Sequence, residues 1–262
     1  MKLATRMSRI KPSPTLAITA KANALRAEGL DIIGFGAGEP DFDTPDSIKR
    51  AAIKAIEAGF TKYTPVGGID ELKDAIIGKF KEDNDLVYKR SEVVVSCGAK
   101  HTLYNLAQVL FEEGDEVLIP APYWVSYVDI VLLSGATPVV IQTDAAKGFK
   151  LQPAQLAEAI NSRTKALIIN GPANPTGLTY TRQELEELAT ILIEKKLLVI
   201  ADDIYEKIIY DGCSFFSIAS LKASKHNSLI DTPLRRTKLL CPTPTMATSS
   251  IRKEPPSIYN IC

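Results

Sequence analysis

Four short segments carry side chains suited to chemistry, and each comes soon after an apolar run. Ser96, Cys97, Gly98, Ala99 and Lys100 follow Val93–Val95 and open a helical pattern, whose first backbone N–H groups make an anion site suited to phosphate. Trp124, the single tryptophan, follows Val117–Ile119 and offers a flat indole on which a flat ring can stack. Asn174 follows Leu167–Ile169 between Pro172 and Pro175, which restrict the loop and hold an amide in one orientation. Asp202, with Asp203 beside it and Tyr205 after it, ends the run Leu197–Ala201. A carboxylate leaving a buried strand is costly without a cation or a hydrogen-bond donor, so it is expected to have one. Taken singly, the first segment also fits an ordinary strand-to-helix turn, and the tryptophan also fits a core aromatic. Together the groups describe a site for a phosphorylated, planar, cationic heterocycle. With two histidines, His101 and His226, and no ligand spacing around them, a metal is the weaker explanation.

The apolar runs recur at intervals long enough for a helix, which predicts an α/β fold with a parallel sheet and crossover helices. In such a sheet, ligands collect at the carboxyl ends of the strands, where these four segments lie. The last crossover is the best defined. Thr181 and Glu184 have capping-box spacing, Leu185, Leu188, Ala189 and Leu192 form one face, and Lys195 and Lys196 lie at the end favoured by cations. Earlier, Thr44 and Pro45 read as N-cap and first helical residue, Ile48, Ala52 and Ile56 as the inner face, and Gly59 as the stop.

The chain has 262 residues, 45% of them hydrophobic, enough for one large domain or one domain and part of another. Its 31 basic and 31 acidic residues cancel, so no field favours nucleic acid or an anionic membrane. No apolar stretch has the length of a membrane span. The first 27 residues hold basic but no acidic side chains, a faint transit-peptide character outweighed by the rest. Cys97, Cys213, Cys241 and Cys262 lack CxxC spacing, and the expectation is free thiols in a reducing cytoplasm. From residue 222 the character changes: the last 41 residues contain five prolines, no glycine and no sustained period, and read as a poorly structured tail.

The segments "GAGEPDFDTP", "KYTPVGG", "PYWVSY", "NGPANPTG" and "ADDIYEKIIY" resemble, in order and spacing, those of the class I aminotransferases of fold type I, in particular the bacterial aspartate and aspartate/prephenate branch. The resemblance runs from about Ile10 to Leu221. It implies pyridoxal 5′-phosphate as cofactor, amino acid and 2-oxo acid substrates, and a homodimer. It further implies that Gly98, Ala99 and Lys100 hold the phosphate, that Trp124 stacks on the ring, and that Asn174 and Tyr205 bond its hydroxylate. Asp202 would keep the ring nitrogen protonated. Tyr63 would reach the neighbouring subunit's phosphate. Gly38 would contact the substrate carboxylate, joined by Trp124 and Asn174, and Lys11 and Thr15 of "KPSPT" would recognise a distal carboxylate. Residues 1–45 would belong to the small domain and 46–221 to part of the large cofactor-binding domain, with 222–262 as the non-matching tail.

One expected motif is missing. The family's Schiff-base lysine lies in a pattern close to S-K-x-x-S-M-T-G-W-R, roughly thirty residues past the ring-nitrogen aspartate. Ser224-Lys225 matches only its first two letters, and Lys238 lacks every neighbour, so no catalytic residue is assigned. The arginine that clamps the substrate carboxylate is missing too. The expectation is therefore a truncated transaminase joined at about residue 222 to unrelated sequence, whose later strands, inserted between earlier ones in the family, would leave open sheet edges. A cofactor-binding or dimerising remnant, and another reaction on the same scaffold, are the alternative readings.

Overall fold

The computed structural model describes residues 2–221, apart from 35, 37 and 39–41. The tail, with Lys225 and Lys238, lies outside the described residues. Among the described residues four α-helices precede the sheet: α1 (Pro14–Ala27), α2 (Asp46–Glu57), α3 (Asp70–Asn84) and α4 (Ala99–Leu110). The sheet segment then alternates β1 (Glu116–Ala121), α5 (Ser126–Ser134), β2 (Thr137–Gln142), α6 (Pro153–Ala159), β3 (Thr164–Asn170), α7 (Arg182–Glu194) and β4 (Leu198–Asp202).

All strand pairs are parallel, in the order β2-β1-β3-β4. The chain leaves β1 toward one side to form β2, then crosses back to place β3 on the other side of β1. The crevice between β1 and β3 is thus a topological switch point, where open α/β sheets bind ligands.

Strand alternation builds two cores. Leu118, Leu167, Ile169, Val199 and Ala201 face α6 and α7, where Leu185, Leu188, Ala189 and Leu192 are buried on α7. Val117, Ile119, Ala166, Ile168 and Ile200 face α4 and α5. The Thr181–Glu184 capping box is present, each partner bonding the other's backbone N–H. Lys195 forms the C-cap of α7.

Two expectations need correction. Val93–Val95 is not a strand: Val95 N–H bonds Gly67 O, and no strand pairs with this segment among the described residues. An apolar run becomes a strand only beside a partner, and β4 pairs only with β3 among the described strands. The α2 helix starts one residue late, with Pro45 as its cap, while Asp43 accepts the Thr44 N–H. Of its expected inner face, only Ile48 is buried, and Ile56 is exposed.

Candidate active site

Strand period places the central carboxylate. Asp202 is two residues beyond Ile200 and Asn170 two beyond Ile168, so both point toward the α4–α5 side, and they are register partners across β3 and β4. Asp202 is buried, with 9% of its surface exposed. It meets the expectation of a donor: the Tyr127 hydroxyl, from α5, donates to Oδ2 at 2.6 Å, and the Ile204 N–H donates to Oδ1 at 3.2 Å. Desolvation pushes the Asp202 carboxyl above the usual range; the bonds from Tyr127 and Ile204 act in the opposite sense, and the charge of Asp203 adds to the rise. Burial, and next the charge of Asp202, push the Tyr127 phenol far upward, so the phenol keeps its proton and acts as the donor. Asp203 turns away, accepting a 2.7 Å bond from the buried Ser217 hydroxyl.

Asn170 ties the Asn174 loop to the backbone of Asp202. Its Nδ2 donates to the Asp202 carbonyl at 2.7 Å, and its Oδ1 accepts the Asn174 N–H at 2.8 Å. Gly171–Pro172 and Asn174–Pro175 are cis peptides. Asn174 is half-buried, and its side-chain amide has no protein partner among the described residues. It lines a narrow cleft of about 30 Å³ at the β1/β3 crevice, together with Pro122, Tyr123, Tyr127 and Asn170.

Trp124 lies just past β1, edge-to-face with Tyr127 at 5.4 Å between ring centroids. The Lys100 ammonium lies 4.9 Å from the centre of the indole. The helix that follows Gly98 begins as expected, but the loop sorts its donors. Gly98 N–H is taken by Ser96 O and Cys97 N–H by His101 Nδ1, whereas Ala99 and Lys100 N–H have no acceptor among the described residues. The contribution of Gly98 is conformational: at φ 88° and ψ 155° it occupies a region nearly exclusive to glycine, and the space in front of it is open.

Tyr205 is half-buried in the turn after β4. Tyr63 is fully exposed. Lys11 precedes α1 and is exposed, Thr15 lies in the first turn of α1, and Gly38 is exposed between residues outside the description. No hydrogen bond, ion pair or ring contact joins these last four to the cluster among the described residues. Sequence reasoning missed Tyr127 and Asn170. Both lie inside the quoted segments, and Tyr127 follows Trp124 by three residues, the spacing of one helical face.

A model of the class I and II aminotransferases matches residues 30–232. The chain belongs to this family. It is 54% identical over 219 residues to an aspartate aminotransferase of Bacillus sp. (strain YM-2), covering 84% of this chain and 56% of that one. To an aspartate/prephenate aminotransferase of Nitrosomonas europaea it is 52% identical, covering 83% and 55%. The solved aspartate aminotransferase of Thermus thermophilus with maleate superposes with a TM-score of 0.81 at 42% identity, covering 84% of this chain and 57% of that one. The chain thus spans a little over half the length of these relatives, and its α/β sheet is that of the fold type I aminotransferases.

Class I aminotransferases use pyridoxal phosphate. The donor set of this chain fits that group: two unsatisfied N–H donors beside an open glycine suit a phosphate, an indole suits a planar ring, and a buried carboxylate suits a pyridinium. Among the described residues no group of histidine, cysteine and acidic side chains is arranged to hold a metal. No helix among them is long and apolar enough to cross a membrane.

Proposed function

We propose that this chain is the cofactor-binding part of a pyridoxal-phosphate aminotransferase that moves an amino group between aspartate, or a similar amino acid, and a 2-oxo acid. The observation that carries the reading is Asp202, a buried carboxylate at the end of β4 beside the switch-point strand β3, held by Tyr127 and near the tethered Asn174. When bound, the cofactor supplies an electron sink for the carbanion left by loss of an amino acid's α-proton. Asp202 holds a proton at the ring nitrogen. Ala99 and Lys100 N–H bind the phosphate, Trp124 orients the ring by stacking, and Asn174 and Tyr205 bond the ring hydroxyl.

In this reading Gly38 contacts the substrate carboxylate, and Lys11 and Thr15 recognise a distal one, in keeping with the maleate of the Thermus thermophilus relative. The full exposure of Tyr63 suits a residue that completes a site across a homodimer. Residues 1–45 belong to the small domain and residues 46–221 to part of the large cofactor-binding domain in this reading. A cytoplasmic location is proposed from the lack of CxxC spacing among the cysteines and the free thiol of Cys213.

The lysine that moves the α-proton in the family is not carried here in its usual pattern. Acid–base catalysis of this type contributes about 10² to 10⁴ in rate. The 262 residues alone should therefore bind cofactor without appreciable transamination. The test is an aspartate and 2-oxoglutarate assay of this chain beside a version in which the family's usual C-terminal region replaces residues 222–262. Turnover only in the second supports the reading; comparable turnover in both would give Lys225 or Lys238 the missing role. Absence of turnover in both would favour a non-catalytic cofactor-binding chain.

A further inference from the structure

Tyr127 is buried, at 2% exposure, and its hydroxyl is spent on one acceptor, Asp202 Oδ2. The bond spans 75 residues, from α5 on one side of β1 to the end of β4. The same ring meets the edge of Trp124. One residue therefore touches both the stacking platform and the carboxylate. The Ile204 N–H pins the other oxygen, so the two donors fix the carboxylate plane. The other titratable groups whose charge acts on this pair are Asp203, which is turned toward Ser217, and Tyr205.

We propose that Tyr127 is a positioning residue that orients Asp202 and decides where the proton shared with the cofactor's ring nitrogen resides. This rests on the proposed cofactor reading. A hydrogen bond donated to a carboxylate lowers its affinity for a proton, so the bond from Tyr127 leaves the proton on the ring nitrogen. A buried carboxylate without that donor keeps a proton more readily, because desolvation opposes its charge. The phenol does not compete as an acid, since burial and the neighbouring charge hold its own proton in place.

The test uses the 262-residue chain with pyridoxamine 5′-phosphate labelled with ¹⁵N in the ring. This amine form cannot condense with surface lysines. In the wild type the bound nitrogen should show the chemical shift of a pyridinium. In Tyr127→Phe it should move at least halfway toward the unprotonated pyridine, while Trp124 quenching still reports a bound ring. An identical pyridinium shift in both proteins would overturn the proposal. No bound signal in the wild type would instead overturn the cofactor reading beneath it. Should Tyr127→Phe fail to fold, ¹³C at Tyr127 Cζ in the wild type gives a second readout. Its signal should move on ligand binding as Asp202 comes to share its charge, and an unmoved signal would overturn the proposal.

Discussion

Replacing Asp202 with asparagine separates the electrostatic role of this residue from its packing role. Two unit charges about 4 Å apart at an effective dielectric near 20 attract by roughly 4 kcal/mol. A neutral amide can regain one hydrogen bond, worth about 1 kcal/mol net. The variant should then lose about 3 kcal/mol of affinity for the cofactor, or roughly a hundredfold in Kd. Pyridoxamine 5′-phosphate titrated against Trp124 fluorescence reads this directly, since the chain has one tryptophan. The apo protein should respond in the opposite sense. Burial raises the Asp202 carboxyl above its ordinary 3.8, so the stability this group contributes is present in acid and is lost as pH rises through the raised value. As pH rises through that value the folded apo protein takes on an unfavourable buried charge that asparagine lacks. Apo Asp202→Asn should melt no lower than wild type at pH 7, and any advantage should shrink as pH falls through the titration of the carboxyl. Equal cofactor affinity in the two proteins would refute the role given to Asp202. A loss of affinity together with a lower apo Tm at pH 7 would point to disrupted packing instead.

Other substitutions probe the elements that position the site. Gly98→Ala should destabilise by about 1–3 kcal/mol in urea unfolding, from backbone strain, because a Cβ there meets no atom within 4 Å. Asn170→Ala strips the Asn174 N–H of its acceptor and should cost about 1–2 kcal/mol by the same measurement, with weaker quenching of Trp124 by the ligand. Leu188→Ala, at a fully buried position on α7, should cost about 2–5 kcal/mol in denaturant unfolding without changing the residues around the ligand.

Much of this architecture is legible in local sequence because local physics writes it. The capping box at Thr181 and Glu184 and the α7 stripe need only neighbours within two turns, and both are present in the structure. The apolar runs before Trp124, Asn174 and Asp202 are strands, and their parallel pairing follows from the helices between them. The failure at Val93–Val95 has the same origin in reverse: strand character there depends on a pairing partner, which composition does not encode. The need of Asp202 for a donor follows from burial alone, but the identity of that donor does not. Tyr127 reaches it across 75 residues of chain, and Asn170 acts by bridging two strand ends. Such contacts are set by sheet order and by which face each strand turns toward α5.

The decisive question is whether these residues bind the cofactor without a covalent bond. Pyridoxamine 5′-phosphate, titrated into the isolated chain while the emission of Trp124 is followed, tests it. Quenching should saturate at one ligand per chain, be relieved by competing inorganic phosphate and be weakened in Asp202→Asn. Emission that is unchanged, or that declines linearly without saturation up to millimolar ligand, would contradict it.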